Sequence, residues 1–336
     1  MCATFPQLCC TFLDLCPWWH LEVAPPFGWA MDVLLVGSIA YDSVTSPAGQ
    51  VERTLGGSAT YGGLASSFHA KRLGLGQVGL VGVVGEDFAD EDRLVLAHHG
   101  TDVSGIETAP GETFRWEGAY QGSMAEAETH ATHLNVFEHF QPKVPEHART
   151  PKVTFCANLH PALQASVLDQ TTPQRLSMLD SMNLWIDIAR EPLLEVMQRV
   201  DLIIINDGEV RMLAGDENLI RAAHAVRLMT SASTLVVKRG EHGVLAFHGE
   251  EIIALPAFPT ADVRDPTGCG DTFAGTLAAY IAAGEGPLDR NELRAALVAA
   301  TVSASFTLQS FGVEALKSMS ADAFDLRITQ FESMLG

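Results

Sequence analysis

Short apolar runs alternate with amphipathic segments along most of the chain, and this alternation constrains the fold more than any other feature. Two such runs lie at 33–39 and 78–84, and helical patterns recur at 193–200 and 219–229. Further apolar runs lie at 153–156, 176–179, 202–205 and 235–237. Strand and helix in this order predict an α/β three-layer sandwich, with a mostly parallel central sheet and helices on both faces.

Two segments, near 43–56 and 112–137, break this order. The first is polar around Pro47 and Gly49, and the second alternates loosely and is rich in Glu and Thr. We predict that both form strands outside the main sheet and build a small β lid over its C-terminal edge. The alternative is a pair of solvated surface loops.

Charge and cysteine content limit the partners and the compartment. The formal net charge of −20 would repel a nucleic-acid backbone or an anionic membrane, so neither is an expected partner. The sequence has no uninterrupted apolar stretch of about 18 residues, the length that a membrane span needs. Beyond residue 16 the only cysteines are Cys156 and Cys269, a content typical of a cytoplasmic protein.

Residues 1–30 differ from the rest in composition. They hold four of the six cysteines and three of the five tryptophans, and the first basic residue of the chain is Arg53. We therefore interpret 1–30 as an atypical extension, with Met31 as the native start and 31–336 as the folded domain. The alternative is a metal-binding or lipidated cysteine tail.

The stretch from Asp265 to Phe273 holds the residues on which the functional prediction rests. Apolar residues follow it at helical spacing, so Gly268, Gly270 and Asp271 are predicted at a helix N-terminus. Free backbone N–H groups and the positive end of the helix dipole meet there, and glycines let a phosphate approach closely. An aspartate beside such a site can take a proton from an attacking hydroxyl. The alternative is an aspartate that only caps the helix.

The sequence Asp265-Pro-Thr-Gly-Cys-Gly-Asp-Thr-Phe273 resembles the C-terminal signature of the ribokinase-like, or PfkB, carbohydrate kinase family. That signature is Asp-Thr-x-Gly-Ala-Gly-Asp-x-Phe, so Pro266 and Cys269 are departures from it. The resemblance implies that Asp271 is the catalytic base. It also implies that Gly268, Cys269 and Gly270 form an anion hole.

Other positions resemble the family in the expected order along the chain. The resemblance implies three further sets of site residues. The substrate-binding set is Asp42, Gly56, Gly57 and Tyr61. The cofactor-binding set is Asn206, Lys238, Gly240, Gly243, Asp265 and Thr267, and Glu209 is the metal ligand, acting on magnesium through water.

Two departures concern the acceptor side of the site. The family usually has an asparagine that contacts a sugar hydroxyl where this chain has Tyr61, which offers one hydroxyl instead of an amide. The strand end with the family pattern Asp-x-Asn-x-Arg is altered, and Trp185 stands in place of the basic residue. This change suggests a more apolar or stacking wall, although a tryptophan here can also belong to the core.

The resemblance implies a ribokinase-like fold and an ATP-dependent kinase that phosphorylates a hydroxyl of a small metabolite, with Mg²⁺ and a monovalent cation as cofactors. We expect a sugar or polyol as the acceptor. The alternatives are a nucleoside kinase of the same fold and a non-catalytic ligand-binding sensor on this scaffold. A homodimer that pairs through the lid is a further expectation.

Overall fold

The computed structural model of the protein describes residues 31–124 and 127–336, so the predicted extension at 1–30 lies outside the described residues. The strands are β1 Met31–Val36, β2 Ala40–Ser46, β3 Gly49–Gly56, β4 Gln77–Gly85, β5 Asp102–Ala109, β6 Phe114–Tyr120, β7 Ala127–His133, β8 Val153–Cys156, β9 Leu176–Asp180, β10 Leu202–Asn206, β11 Thr234–Lys238, β12 Val244–His248 and β13 Glu251–Leu255. The α-helices are α1 Ser58–Leu73, α2 Asp90–Leu96, α3 Pro161–Gln170, α4 Asn183–Ile188, α5 Arg190–Met197, α6 Asp207–Ala214, α7 Leu219–Thr230, α8 Cys269–Ala283, α9 Arg290–Thr307, α10 Glu314–Ser318 and α11 Ala321–Leu335.

Nine strands form the central sheet in the order β13-β12-β11-β10-β9-β8-β1-β4-β5. The strands from β11 to β5 are parallel, and β12 and β13 add to the edge as antiparallel strands. All six residues of β1 are buried, as expected for a strand covered on both faces. The predicted, mostly parallel sheet is therefore confirmed.

Helices cover both faces of this sheet. Ile203 of β10 packs into one hydrophobic cluster with α5, α6 and α7, whereas Ile204 packs into another with α1, α8 and α9. Because successive side chains of a strand point to opposite faces, the two clusters are the two outer layers of a three-layer sandwich. Helices α1 and α8 approach closely where Gly275 meets the carbonyl of Gly62, and a Cβ at Gly275 would collide with that backbone.

Helix α1 begins earlier than its apolar residues indicate, because its first large aliphatic residue is Leu64. Helix α1 starts at Ser58, and its residues through Ala70 are all buried. A helix that is covered all round shows little apolar periodicity, so its first turns escape a search for an amphipathic pattern. Helix α2 ends at Leu96, and His99 adopts a left-handed conformation in the following turn.

Four strands form a second, smaller sheet in the order β3-β2-β6-β7. Strands β2 and β6 are parallel, and the two outer pairs are antiparallel. Both segments predicted to lie outside the main sheet contribute to it. Strand β2 follows β1 along the chain, and β3 leads into the start of α1. This sheet therefore stands beside the carboxyl end of β1.

The strand order reverses between β1 and β8, because the chain continues from β1 to β4 on one side and returns to β8 on the other. Open α/β sheets bind ligands at such a switch point, beyond the carboxyl ends of the strands. Within 31–124 and 127–336, no helix is long and apolar enough to cross a membrane.

Candidate active site

Asp271 lies in the first turn of α8, and Gly268 caps this helix with a left-handed backbone, φ 75°. Glycine adopts this conformation at no steric cost, and here it also makes room for a neighbour. A Cβ on Gly268 would collide with the ring of Tyr61. The sequence therefore places a carboxylate at a helix N-terminus that is packed against α1.

The three residues of the predicted anion hole differ in the availability of their N–H groups. Cys269 donates its N–H to the carbonyl of Pro266 at 3.1 Å, so that donor is already used. Gly268 and Gly270 have amides without a hydrogen-bond partner among the described residues. The Cys269 thiol donates to the carbonyl of Ala304, and burial raises the pKa of this thiol above its ordinary value. Two of the three amides are thus open to an anion.

Burial raises the pKa of Asp271 from 3.8 to about 6. The neighbouring Asp180 carboxylate raises the pKa further, and the Lys238 ammonium opposes both effects. A base with a pKa near 6 is ionised at neutral pH and binds a proton more strongly than an ordinary aspartate, as a general base must.

Asp42 lies on β2, in the small sheet, and is almost fully buried against Gly56. Burial raises the pKa of Asp42 to about 8, and the charges of Asp265 and Asp271 add to this effect. The electrostatic influence of Asp271 on Asp42 indicates that the structure brings the predicted base and the predicted acceptor ligand into one site. A side chain at Gly56 would overlap the Asp42 carboxylate.

The backbone at Gly57 fixes the start of α1 beside this carboxylate. Gly57 has φ 93°, and a Cβ there would lie 2.5 Å from the carbonyl oxygen of Ser38, at the end of the β1 segment. The next predicted acceptor residue, Tyr61, is 1% exposed, and its hydroxyl has no hydrogen-bond partner within 31–124 and 127–336. Burial, with Asp42 and Asp265 nearby, raises the pKa of Tyr61 well above 10. A buried hydroxyl without a partner is costly unless a ligand contacts it.

Asp265 and Thr267 order the loop before α8. Asp265 is fully buried; its carboxylate accepts from the N–H of Thr267 at 2.9 Å and from that of Gly312 at 3.4 Å. The Thr267 hydroxyl lies 3.3 Å from the hydroxyl of Tyr120, on the small sheet. Sequence reasoning missed Tyr120, because its contact depends on how the small sheet lies over α8.

Asn206 and Glu209 form the N-terminal cap of α6. The Asn206 side chain accepts from the Glu209 N–H at 2.8 Å, and the Glu209 carboxylate accepts from the Asn206 backbone and side chain at 2.8 and 2.7 Å. Burial raises the pKa of Glu209 to about 7, against the opposing effect of the Lys238 ammonium. Both carboxylate oxygens already have partners within the protein.

The donor set at Glu209 fits Mg²⁺ only in part. No group of three or more His, Cys, Asp or Glu side chains in the described part of the chain could hold a metal by itself. Mg²⁺ usually keeps several waters and takes one or two carboxylates together with substrate phosphates. The structure therefore fits a magnesium ion that water links to Glu209 and that the phosphates of a nucleotide mainly hold.

Lys238 ends β11 and reaches α8. Its ammonium would lie 3.2 Å from a Cβ on Gly270 and forms an ion pair of 2.8 Å with Asp180, at the end of β9. Gly240 and Gly243 shape the turn that follows, with φ 51° and 83°. A Cβ at Gly243 would overlap the backbone at the end of β13, so that position requires glycine.

A polar and aromatic cluster stands at the carboxyl ends of β8 and β9. The indole N–H of Trp185 donates to the Asn158 side chain at 2.9 Å, and the ring of His160 meets the Trp185 ring edge to face at 5.1 Å. Trp185 is half-buried at the border of the cluster on the α5–α7 face. Part of the Trp185 ring therefore packs against the core, and its indole N–H donates to Asn158; its role as a wall of the acceptor site stays a prediction.

The profile of the pfkB family carbohydrate kinases matches residues 30–319. The cytidine kinase of Thermococcus kodakarensis is 31% identical over 258 residues, which cover 74% of this chain and 88% of that protein. An Escherichia coli protein solved with ATP and Mg²⁺ aligns with a TM-score of 0.71 and 18% identity, over 89% of this chain and 99% of its own. The Burkholderia thailandensis nucleoside kinase solved with inosine aligns with a TM-score of 0.71 and 19% identity. The alignment covers 90% of this chain and 99% of that kinase. The two solved structures confirm the ribokinase-like fold.

Proposed function

The chain belongs to the pfkB family of carbohydrate kinases, and from this premise we propose that it phosphorylates a ribose hydroxyl of a nucleoside. The chain is an ATP-dependent phosphotransferase that acts on a hydroxyl group of a small metabolite. The choice of a nucleoside as the acceptor goes beyond this activity and is our proposal. The observation that carries it is the similarity to a cytidine kinase across most of that protein's length.

The chemistry proposed for the site needs one base and a place for negative charge. The Asp271 carboxylate accepts the proton of the acceptor hydroxyl while the hydroxyl oxygen forms its bond to the γ-phosphorus. The bond between that phosphorus and the bridging oxygen breaks, and its electron pair leaves on ADP. The open amides of Gly268 and Gly270, with the positive end of α8, stabilise charge on the transferring group.

The other site residues have supporting roles in this proposal. Lys238 faces the phosphates, and Gly240 and Gly243 shape the nucleotide turn. Glu209, with Asn206 as its partner, would hold Mg²⁺ through water, and the ion supplies neutralisation of phosphate charge when bound. We also propose a monovalent-cation requirement, and the buried carboxylate of Asp265, three residues before Gly268 in the chain, supports it.

The proposed acceptor site lies between the small sheet and the strand ends. Asp42 and the unpartnered hydroxyl of Tyr61 would bind ribose hydroxyls. The cluster of Trp185, Asn158 and His160 supports a nucleoside because it offers two aromatic rings, on which a base can stack.

A sugar or polyol is the second candidate, and the description of the family as carbohydrate kinases favours it.

We further propose that the enzyme acts in the cytoplasm, where the free thiols of Cys156 and Cys269 stay reduced. The proposed homodimer would form through the exposed edges of the small sheet, β3 and β7.

The test is a panel that measures ADP release with cytidine, uridine, inosine, adenosine, ribose, fructose and inositol at equal concentrations. We expect kcat/KM for at least one nucleoside to exceed that for every sugar by about tenfold or more, since base contacts add binding in the transition state. Phosphorus NMR of the product identifies the phosphorylated hydroxyl. A sugar or polyol as the best acceptor would refute the nucleoside proposal and leave the kinase assignment intact.

A further inference from the structure

Asp180 and Lys238 form a buried ion pair across the end of an intervening strand. They end β9 and β11, which flank β10 in the sheet, and their side chains meet at 2.8 Å. The Asp180 side chain is 4% exposed and that of Lys238 is 19% exposed. The cap of α6 does not use this pair, because Asn206 and Glu209 satisfy each other at the end of β10.

The pair points towards the first turn of α8. The Lys238 ammonium lies close to Gly270, one residue before the base Asp271. Asp180 and Glu209 hold the pKa of Lys238 above its ordinary value, although burial alone would lower it, so the side chain stays a cation.

The surroundings explain why a cation at this place matters. Asp42, Asp180, Asp265, Asp271 and Glu209 are all carboxylates of the site, and the phosphates of ATP add further negative charge. The nearest arginines of the small sheet, Arg53 and Arg115, are paired with Asp87, away from α8. Among the described residues, Lys238 is a cation whose ammonium lies next to Gly270, so a phosphoryl group at the open amides would meet its charge.

We propose that Asp180 is a positioning residue that holds the Lys238 ammonium beside the amino end of α8, and that Lys238 exchanges Asp180 for the γ-phosphoryl group of ATP during transfer. This inference rests on the proposed phosphotransfer at Asp271. Lys238 keeps its proton throughout, because the acceptor's proton goes to Asp271. The exchange places positive charge on the transferring group, and the released Asp180 repels ADP once the bond has broken.

The two residues then have different kinetic signatures. Lys238→Met removes the charge on the transferring group and should lower kcat by about 10²-fold, the usual effect of losing one such donor. It should weaken binding of a non-hydrolysable ATP analogue more than binding of ADP, because only ATP has the γ-phosphoryl group. Asp180→Asn should lower kcat by about tenfold while KM for ATP stays equal or falls, since Asp180 no longer competes with ATP for Lys238.

The chain offers a matched control at the other end of the sheet. Asp32 is also almost fully buried and pairs with Lys152 at 2.9 Å, at the amino ends of β1 and β8. Asp32→Asn removes a carboxylate of the same kind at the opposite end of α8 from Asp271, where Lys152 also donates to the carbonyl of Ala282. We expect it to lower the melting temperature without changing kcat or KM for ATP by more than about twofold.

The decisive measurement is a double-mutant cycle in the full chain. If Asp180 acts through Lys238, the kcat loss of Asp180→Asn disappears in the Lys238→Met background. An equal loss in both backgrounds, or a profile like that of Asp32→Asn, overturns the proposal. If Asp180→Asn does not fold, calorimetry on Lys238→Met decides, and equal losses for ADP and the ATP analogue refute it. Absence of wild-type turnover with every acceptor would instead refute the proposed function.

Discussion

Replacement of Asp271 by asparagine tests the centre of the proposed mechanism. The substitution keeps the size of the side chain and one acceptor oxygen, replaces the other oxygen by an NH2 donor, and removes the ability to accept a proton at neutral pH. General bases contribute about 10² to 10⁴ to the rate, so kcat should fall at least about 10²-fold. ATP should still bind, because the amides of Gly268 and Gly270 and the cation of Lys238 are unchanged.

The structure also predicts the effect of pH and of the substitution on stability. The pKa of Asp271 is raised from 3.8 in the unfolded chain to about 6. The wild-type kcat should therefore fall about tenfold for each pH unit well below 6, as the base becomes protonated. Because the folded pKa is the higher one, the ionised carboxylate costs the fold stability, and this cost grows between pH 3.8 and 6 and is complete above it. The difference corresponds to about 3 kcal/mol, an upper bound since Asp271 is partly accessible.

Asp271→Asn should therefore be nearly inactive and yet more stable than the wild type at pH 7.5. Thermal melts at pH 7.5 and at pH 4 measure the second effect, and the gain in melting temperature should shrink at pH 4, where the wild-type carboxylate is largely protonated. Asp322→Asn is the matched control, because Asp322 also lies in the first turn of a helix, α11, but is exposed. It should change neither kcat nor the melting temperature appreciably.

Two outcomes would refute this reasoning. Turnover within about threefold of the wild type would show that Asp271 is not the base. A loss of stability equal to the loss of activity would show that the carboxylate holds the helix terminus in place and that the kinetic effect is secondary.

Two further substitutions probe the acceptor and phosphate halves of the site. Tyr61→Phe removes a buried hydroxyl without a partner among the described residues, so the melting temperature should rise by the equivalent of about 1 kcal/mol. The same substitution should raise KM for the acceptor several-fold. An unchanged KM would show that Tyr61 does not contact the acceptor. Gly270→Val places a side chain within 3.2 Å of the Lys238 ammonium and beside an open amide, so KM for ATP should rise about tenfold or more. Wild-type kinetics in this variant would contradict the anion-hole assignment.

Much of the fold could be predicted from local pattern. The apolar run 153–156 is strand β8 residue for residue, and β9, β10 and β11 extend their predicted runs by one or two residues. These strands are buried on both faces, so their sequences are mostly apolar and easy to recognise. The first turns of α1 could not be predicted in this way, because glycines and small residues there pack against α8 and leave no apolar stripe.

The residues of the candidate site also differ in how far local sequence patterns predict their positions. The position of Asp271 at a helix start follows from adjacent residues, and local spacing sufficed to predict it. The pairing of Asp180 with Lys238 joins residues 58 positions apart, and it depends on strand order and on side chains long enough to reach across the end of β10. The contact between Tyr120 and Thr267 depends on how a second sheet lies over the first, which no local pattern encodes.

The carboxylates of the site explain why a chain of net charge −20 can still bind a nucleotide. Burial raises the pKa of Asp42, Glu209 and Asp271 to between about 6 and 8, so these groups are destabilised as anions before any ligand arrives. A ligand that brings cations with its phosphates, or hydroxyl donors with its sugar, removes part of that cost. Free ATP without a divalent cation would add charge to a site whose nearest protein cation, Lys238, is already paired. The same electrostatics therefore favour the metal-complexed nucleotide and a neutral, hydroxyl-rich acceptor over a phosphorylated one.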